Sequence, residues 1–423
     1  MRKRNYGLDI ARIAAMCGVV VLHILGRGGV LAELKPLQAS YVTSWWFEIL
    51  AYGSVNVFAM LSGILGADSK KKSSYRALEL LSVVLLYSVV ITVLFYIFSP
   101  DLIGGKKGLI FALFPILTKT YWYITDYIPL ALLQPYINKW LKFLTNEQLQ
   151  KLCFVFIAVI SVVPSVTRQD LFAVNAGYSF VWLVMCYFFG AYIKRVDFFA
   201  KIKHVKIISV VVFFACSLVL LGGNVLEYKL IEQWGYMIAY DSPFILLMAV
   251  CVIVFMNSEK EISSGKALVV LSSTAFDTYL LHAHPLVFDN LFKSGFTWIA
   301  GLPTAAIPFT VIGCAALIYL AAFVVARIRI FLYDKLKVKK LLQLIAKPID
   351  KLFYPQLGVK LCSMAGGGVQ KIYMVFFREP SRRDRSGSDL FHLWDGFEIK
   401  MNFDRNVSCF IFVNALMHDD FFD

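Results

Sequence analysis

Apolar runs long enough to cross about 30 Å of hydrocarbon recur along the chain as far as residue 326. Ten are counted, at 8–26, 43–66, 79–99, 120–138, 151–167, 172–193, 207–225, 234–257, 267–290 and 302–326. The stretch 108–118 is also apolar, but it is short and carries Pro115, so it is read as an interfacial or re-entrant piece ahead of the fourth span. Beyond the last span, a basic stretch from Arg327 to Lys351 is expected to lie as a juxtamembrane helix on anionic lipid. From about Leu357 the character changes again, through Gly366-Gly367-Gly368 and a mixed-charge run to an aromatic, acidic end without membrane periodicity. The expected fold is an all-α integral membrane protein of about ten transmembrane helices with a non-membrane C-terminal tail. Its parts are a transmembrane domain at 1–326, a basic segment at 327–356 and a tail of unassigned, poorly ordered structure at 357–423. No internal repeat is evident, which argues against the inverted-repeat transporter folds.

Composition agrees with this pattern, since 59% of residues are hydrophobic and only 17% charged, too apolar for a soluble domain of this length. The net charge of +14 does not point to nucleic acid, because no basic module interleaved with aromatic residues is present. The bases instead follow topology. Seventeen Lys and Arg fall in the N-terminus and the short loops assigned inside, among them Lys70, Lys71, Lys72, Lys194 and Arg195, against eight in the loops assigned outside. The positive-inside rule then places both termini in the cytoplasm. Met-Arg-Lys-Arg before an apolar run imitates a secretory signal, but no small-residue cleavage site follows and Arg12 interrupts the run, so a retained first helix is expected. Cys17, Cys153, Cys186, Cys216, Cys251 and Cys314 lie singly in apolar segments, without the spacing of a metal or redox site.

Ionisable residues in lipid are expensive and mark function by default. Arg12 and His23 share the first span, and eleven positions at about 100° per residue bring them to nearly one face, roughly 16 Å apart along the axis. On the assigned topology the polar residues fall into two layers. Asp9, Arg12 and Arg76 lie in the inner half; His23, Glu48, Asp126, Asp241, Asp277 and His282 lie in the outer half, with His284 near the outer end of its span. Simpler accounts exist for most of them. Asp9 with Arg12 at i, i+3 is also the pattern of a helix-end ion pair, Arg76 that of a positive-inside anchor, and Glu48, Asp126 and Asp241 stand near the interface with water. His23 is different, because Val19 to Leu22 and Ile24 to Leu25 flank it. Imidazole exchanges a proton near neutral pH, and a neighbouring group such as Asp277 or His282 could orient it as a general base on a hydroxyl. Inner guanidinium groups suit an anionic donor.

Leu8-Asp9 with Arg12 and then His23, Phe58-Ala-Met-Leu61-Ser62-Gly63, Tyr121-Trp122-Tyr123 with Pro135, Gly190 after an aromatic run, and Ser273-Thr274-Ala275-Phe276 leading into Tyr279-Leu280-Leu281-His282 occur in order. Together they resemble the membrane acyltransferase-3 family over about residues 5–350. The resemblance implies a ten-helix enzyme of the cell membrane, bacterial by its relatives, that moves an acyl group, usually acetyl, from cytoplasmic acyl-CoA as co-substrate to a hydroxyl of an extracytoplasmic glycan, without a metal. The family's key arginine and histidine fall on Arg12 and His23. Arg76 stands where members commonly carry paired arginines. Asp277 and His282 are then catalytic candidates, Arg12 and Arg76 donor-binding, and Glu48, Asp126, Asp241 and Tyr279 acceptor-side candidates. Expected partners are acyl-CoA, an extracytoplasmic polysaccharide or lipid-linked glycan, and membrane lipids, with no nucleic acid. The competing reading is a glycan or lipid-linked saccharide transporter of the same family; a sensing or anchoring domain is a third, for which the tail is short.

Overall fold

In hydrocarbon a backbone amide finds no water, so a spanning segment must satisfy its hydrogen bonds internally. Every apolar run accordingly contains helix in the computed structural model, which describes residues 4–67, 73–196, 202–235, 237–257 and 265–353 together with the backbone of four C-terminal strands. The main helices are α1 (Tyr6–Leu25), α2 (Ala39–Tyr52), α3 (Ser54–Gly66), α4 (Ser73–Phe98), α5 (Trp122–Phe143), α6 (Asn146–Phe156), α7 (Phe180–Arg195), α8 (Val205–Ile231), α9 (Pro243–Asn257), α10 (Gly265–Ser272), α11 (Ala275–His282), α12 (Ala306–Lys335) and α13 (Val338–Phe353).

Among the described residues, six helical stretches are long and apolar enough to cross a membrane: Tyr6–Glu33, Ala39–Gly66, Ser74–Phe98, Asn146–Thr167, Val205–Ile231 and Ala306–Lys335. The remaining four expected spans are shorter or interrupted. Pro129 and Pro135 lie inside α5, α7 and α9 have 16 and 15 residues, and the ninth expected span is divided into α10 and α11. The stretch 108–118 contributes to a seven-residue helix, Lys106–Ala112, followed by turns, with Phe111, Leu113, Phe114 and Leu117 exposed.

The chain divides into two compact units, Met1–Gln343 and Leu344–Asp423. In the second, four antiparallel strands, β1 (Leu357–Gly366), β2 (Val369–Arg378), β3 (Glu398–Asn402) and β4 (Phe412–Asn414), pair in the order β1-β2-β3-β4. β2 carries Ile372, Tyr373, Val375, Phe376 and Phe377, residues that favour strands. Its pairing with β1 runs from Leu357↔Arg378 to Gly366↔Val369.

In the first unit the core is tightened by glycines. A Cβ at Gly63 would collide with the Tyr187 carbonyl and one at Gly190 with the Met60 carbonyl, so α3 and α7 approach closely only because both positions lack a side chain. At the outer end of this contact, Asn56 donates to the Tyr240 carbonyl at 2.7 Å and accepts from the Trp182 indole at 2.8 Å.

Candidate functional site

Asn5 caps α1 by accepting from the Gly7 amide, and its amide group reaches the Asn257 side chain at 2.7 Å, fixing where α1 begins. In its last turn α1 presents His23, half-buried, while α11 presents His282, 2% exposed. Their rings meet: His282 Nε2 lies 3.0 Å from His23 Nδ1. The other nitrogen of His282, Nδ1, contacts the carbonyl oxygen of Thr278 one turn back on the same helix.

This arrangement dictates where the protons are. A carbonyl only accepts, so in the neutral ring His282 Nδ1 carries its hydrogen and donates it to Thr278. His282 Nε2 is then a lone pair, and His23 Nδ1 donates to it. His23 Nε2 is left unprotonated, on the more accessible of the two rings. The geometry thus produces a base nitrogen on His23, oriented by a buried histidine and a backbone carbonyl in the roles that a histidine's carboxylate partner fills elsewhere. Phe288 packs edge-on to His23 at 4.8 Å and Phe292 lies 5.6 Å from His282, holding both rings.

The end of α11 is itself pinned. Tyr121 donates to the Leu280 carbonyl at 2.8 Å, satisfying an acceptor in the last turn of the helix, where carbonyls lack intrahelical partners. Tyr279 is buried with its ring 5.8 Å from Tyr121, 6.3 Å from Tyr123 and 6.2 Å from His282. His284 is buried, and its Nδ1 accepts from the Leu286 amide and caps the short turn that follows.

Asp277 does not orient His23. Five residues separate it from His282, about 140° around the helix, so the two side chains leave α11 on different faces. Its carboxylate instead takes a bidentate pair from Arg329 on α12, with both contacts at 2.8 Å, and a further hydrogen bond from Tyr87 on α4, also 2.8 Å. This clamp ties three helices together below the histidines.

On the inner half of α1, Asp9 is held by Arg4 through two 2.8 Å contacts and by Ser272 at 2.7 Å. Arg12 stands farther from it, at 3.8 Å. Arg4, which reads in the sequence as one of several positive-inside charges, therefore takes the carboxylate expected to neutralise Arg12. Arg76 donates to Gln134 Oε1 at 2.7 Å, joining α4 to α5.

The acceptor-side candidates are dispersed. Glu48 is buried on α2, with one oxygen 3.7 Å from where a Cβ on Gly26 would stand, one turn outward from His23. Asp126 is half-buried on α5, within electrostatic reach of Tyr279. Asp241 lines a separate outer cavity of about 160 Å³ with Arg168, Asp170 and Ser242. Of these four, Tyr279 packs on the histidine pair, its ring 6.2 Å from that of His282.

Residues 5–326 match the acyltransferase-3 family, described as an acyltransferase domain. The chain belongs to this family. Comparison with curated proteins and with solved structures gives no match. The residues that carry the sequence resemblance acquire physical roles here: Gly63 and Gly190 allow the α3–α7 approach, Tyr121 pins the helix of His282, and Ser273 and Thr274 stand at the break between α10 and α11. Arg329, Tyr87 and Thr278 were not singled out from sequence. Arg329 had one signal: the buried stripe of α12, Ile307, Val311, Ala315, Tyr319, Ala322 and Ala326, steps by three or four, and 329 is its next position.

Proposed function

We propose that this membrane acyltransferase moves an acyl group, acetyl or a close relative, from cytoplasmic acyl-CoA to a hydroxyl of an extracytoplasmic glycan. The observation that carries the reading is the His23–His282–Thr278 relay, which leaves a base nitrogen on His23. His23 Nε2 takes the proton of the acceptor hydroxyl as its oxygen attacks the thioester carbonyl carbon. As the carbon–sulfur bond breaks, the His23 imidazolium returns that proton to the departing sulfur. Arg12 and Arg76 hold the phosphates of CoA at the inner side, and the roughly 16 Å between Arg12 and His23 requires a donor with a long arm between its anionic head and its reactive end. Acyl-CoA has that architecture.

In this reading α5, α7, α9 and the α10–α11 pair complete ten spans with both termini cytoplasmic, in a bacterial cell membrane, and α13 rests on lipid. The test is purified protein in lipid nanodiscs with acetyl-CoA and cell-envelope polysaccharide, following free thiol and polysaccharide-bound acetyl together. Matched release and incorporation, lost in His23→Ala, support the proposal. Saccharide movement across sealed vesicles without acylation would support the transporter reading in its place.

A further inference from the structure

One turn outward from His23, the face of α2 that follows Tyr41, Trp45 and Glu48 at i, i+4 and i+7 meets the turn at Trp234. The three rings form a cage, with centroids 6.2 Å apart for Tyr41 and Trp45, 5.0 Å for Tyr41 and Trp234, and 5.6 Å for Trp45 and Trp234. On these rings and on Ser44 and Glu48 of the same helix, four buried polar atoms have no hydrogen-bond partner: Ser44 Oγ, Trp45 Nε1, Glu48 Oε2 and Trp234 Nε1. Ser44 is fully buried and Glu48 is 8% exposed. A buried carboxylate oxygen left unpaired is costly, and buried polar groups in native proteins are almost always satisfied. Four such atoms, three of them within five residues of one helix and the fourth on the ring packed against it, call for a common partner. Access is from the outer side, where Trp45 and Trp234 are half-exposed and Gly26 is exposed beside Glu48.

The atoms also select the partner's chemistry. An ammonium group would answer Glu48 and the ring faces but could not accept from the indole N–H of Trp234. A lipid chain would answer the rings and leave all four polar atoms unpaired. A saccharide answers every one, since its hydroxyls both donate and accept and its C–H face stacks on aromatic rings. We infer that Ser44, Glu48 and Trp234, with the faces of Tyr41 and Trp45, hold a sugar ring of the acceptor, so that a hydroxyl of that ring or its neighbour reaches His23 one turn below. Glu48 is here a positioning residue. The inference rests on the proposed acyl transfer to a glycan.

Its test uses the full chain in nanodiscs, acetyl-CoA as donor and a panel of p-nitrophenyl hexopyranosides as acceptors, with mass detection of acetylated product. Glu48→Gln keeps the shape and exchanges one oxygen for an amide nitrogen, and should raise the acceptor KM several-fold, the order expected for one buried hydrogen bond, while the KM for acetyl-CoA stays within about twofold. Trp234→Phe keeps a ring without its N–H, and Ser44→Ala removes one hydroxyl; each should raise the acceptor KM several-fold. These two keep the inference testable should Glu48→Gln fail to fold. Wild-type acceptor KM in Trp234→Phe and Ser44→Ala, or a rise in KM for both substrates alike, overturns it. A wild-type protein that acetylates no saccharide refutes the proposed function instead, before any variant is compared.

Discussion

The charged groups of the first unit and its histidine region handle polarity in opposite ways. The charged groups meet partners at short distance: Arg4 and Ser272 on Asp9, Arg329 and Tyr87 on Asp277, and Gln134 on Arg76. In the histidine region a pair of imidazoles shares one hydrogen bond and hands the last proton to a backbone carbonyl, while Ser44, Glu48 and Trp234 each keep an atom unpaired. The first set of contacts holds helices in register. The second leaves hydrogen-bonding capacity unused, which is the condition for a ligand to gain by binding.

The contrast breaks most visibly at the clamp. Asp277→Asn leaves the half-buried Arg329 without its counter-charge, and removal of one partner from a fully buried pair costs about 3–5 kcal/mol, an upper bound here. A large drop in thermal unfolding temperature in detergent is the expected result, with much of it recovered when both residues are replaced by apolar side chains of similar volume, Asp277→Leu with Arg329→Met. If the double replacement recovers stability but not acyl transfer, the clamp also sets the position of α11 and its histidine.

The histidines should behave in the reverse manner, with little change in stability and a large one in rate. His23→Ala should lower transfer by about 10²-fold or more, the usual loss for a general base. His282→Ala should lower it by less, because His23 remains but loses its orienting acceptor. Equal transfer rates for His282→Ala and the wild type would mean that His23 works without the relay.

These expectations mix what the sequence showed with what it hid. The apolar runs were legible because a hydrocarbon environment imposes length and composition, and each run does contain helix. His23 and His282 were legible as ionisable groups in apolar surroundings. Which of their neighbours mattered was not, because depth in the membrane is read from sequence whereas the angle around a helix decides contact. Asp277 matches His23 in depth and faces elsewhere. Arg4 and Arg329 were hidden among basic residues whose topological role accounts for them without a partner, and the C-terminal strands among a composition shift that resembles a linker.

Donor binding should show a smaller effect. Arg12 is not tightly held by Asp9, whose near contacts go to Arg4 and Ser272, so its guanidinium can engage a phosphate without first breaking a close pair. Arg12→Lys retains charge but not the bidentate fork. The KM for acyl-CoA should rise several-fold with the acceptor KM unchanged, measured by steady-state kinetics in nanodiscs. A change confined to the acceptor would place Arg12 outside the donor site.

The smallest effect is expected from shortening the chain, provided the cut spares α12. The family match ends at residue 326, yet Arg329 lies three residues beyond it and supplies both contacts to Asp277, with its guanidinium over the Tyr333 ring at 5.2 Å. A chain ending at Ala326 therefore loses the clamp and should show the instability of Asp277→Asn. One ending at Pro355 keeps Arg329, Tyr333 and the basic helix, and should transfer acyl groups at the full-length rate. Membrane insertion of both, followed by thermal unfolding and transfer assays, separates the two cuts. Full stability in the shorter chain would show that the Arg329–Asp277 pair contributes little to holding α11, and a rate loss in the longer one would give the C-terminal strands a part in the reaction.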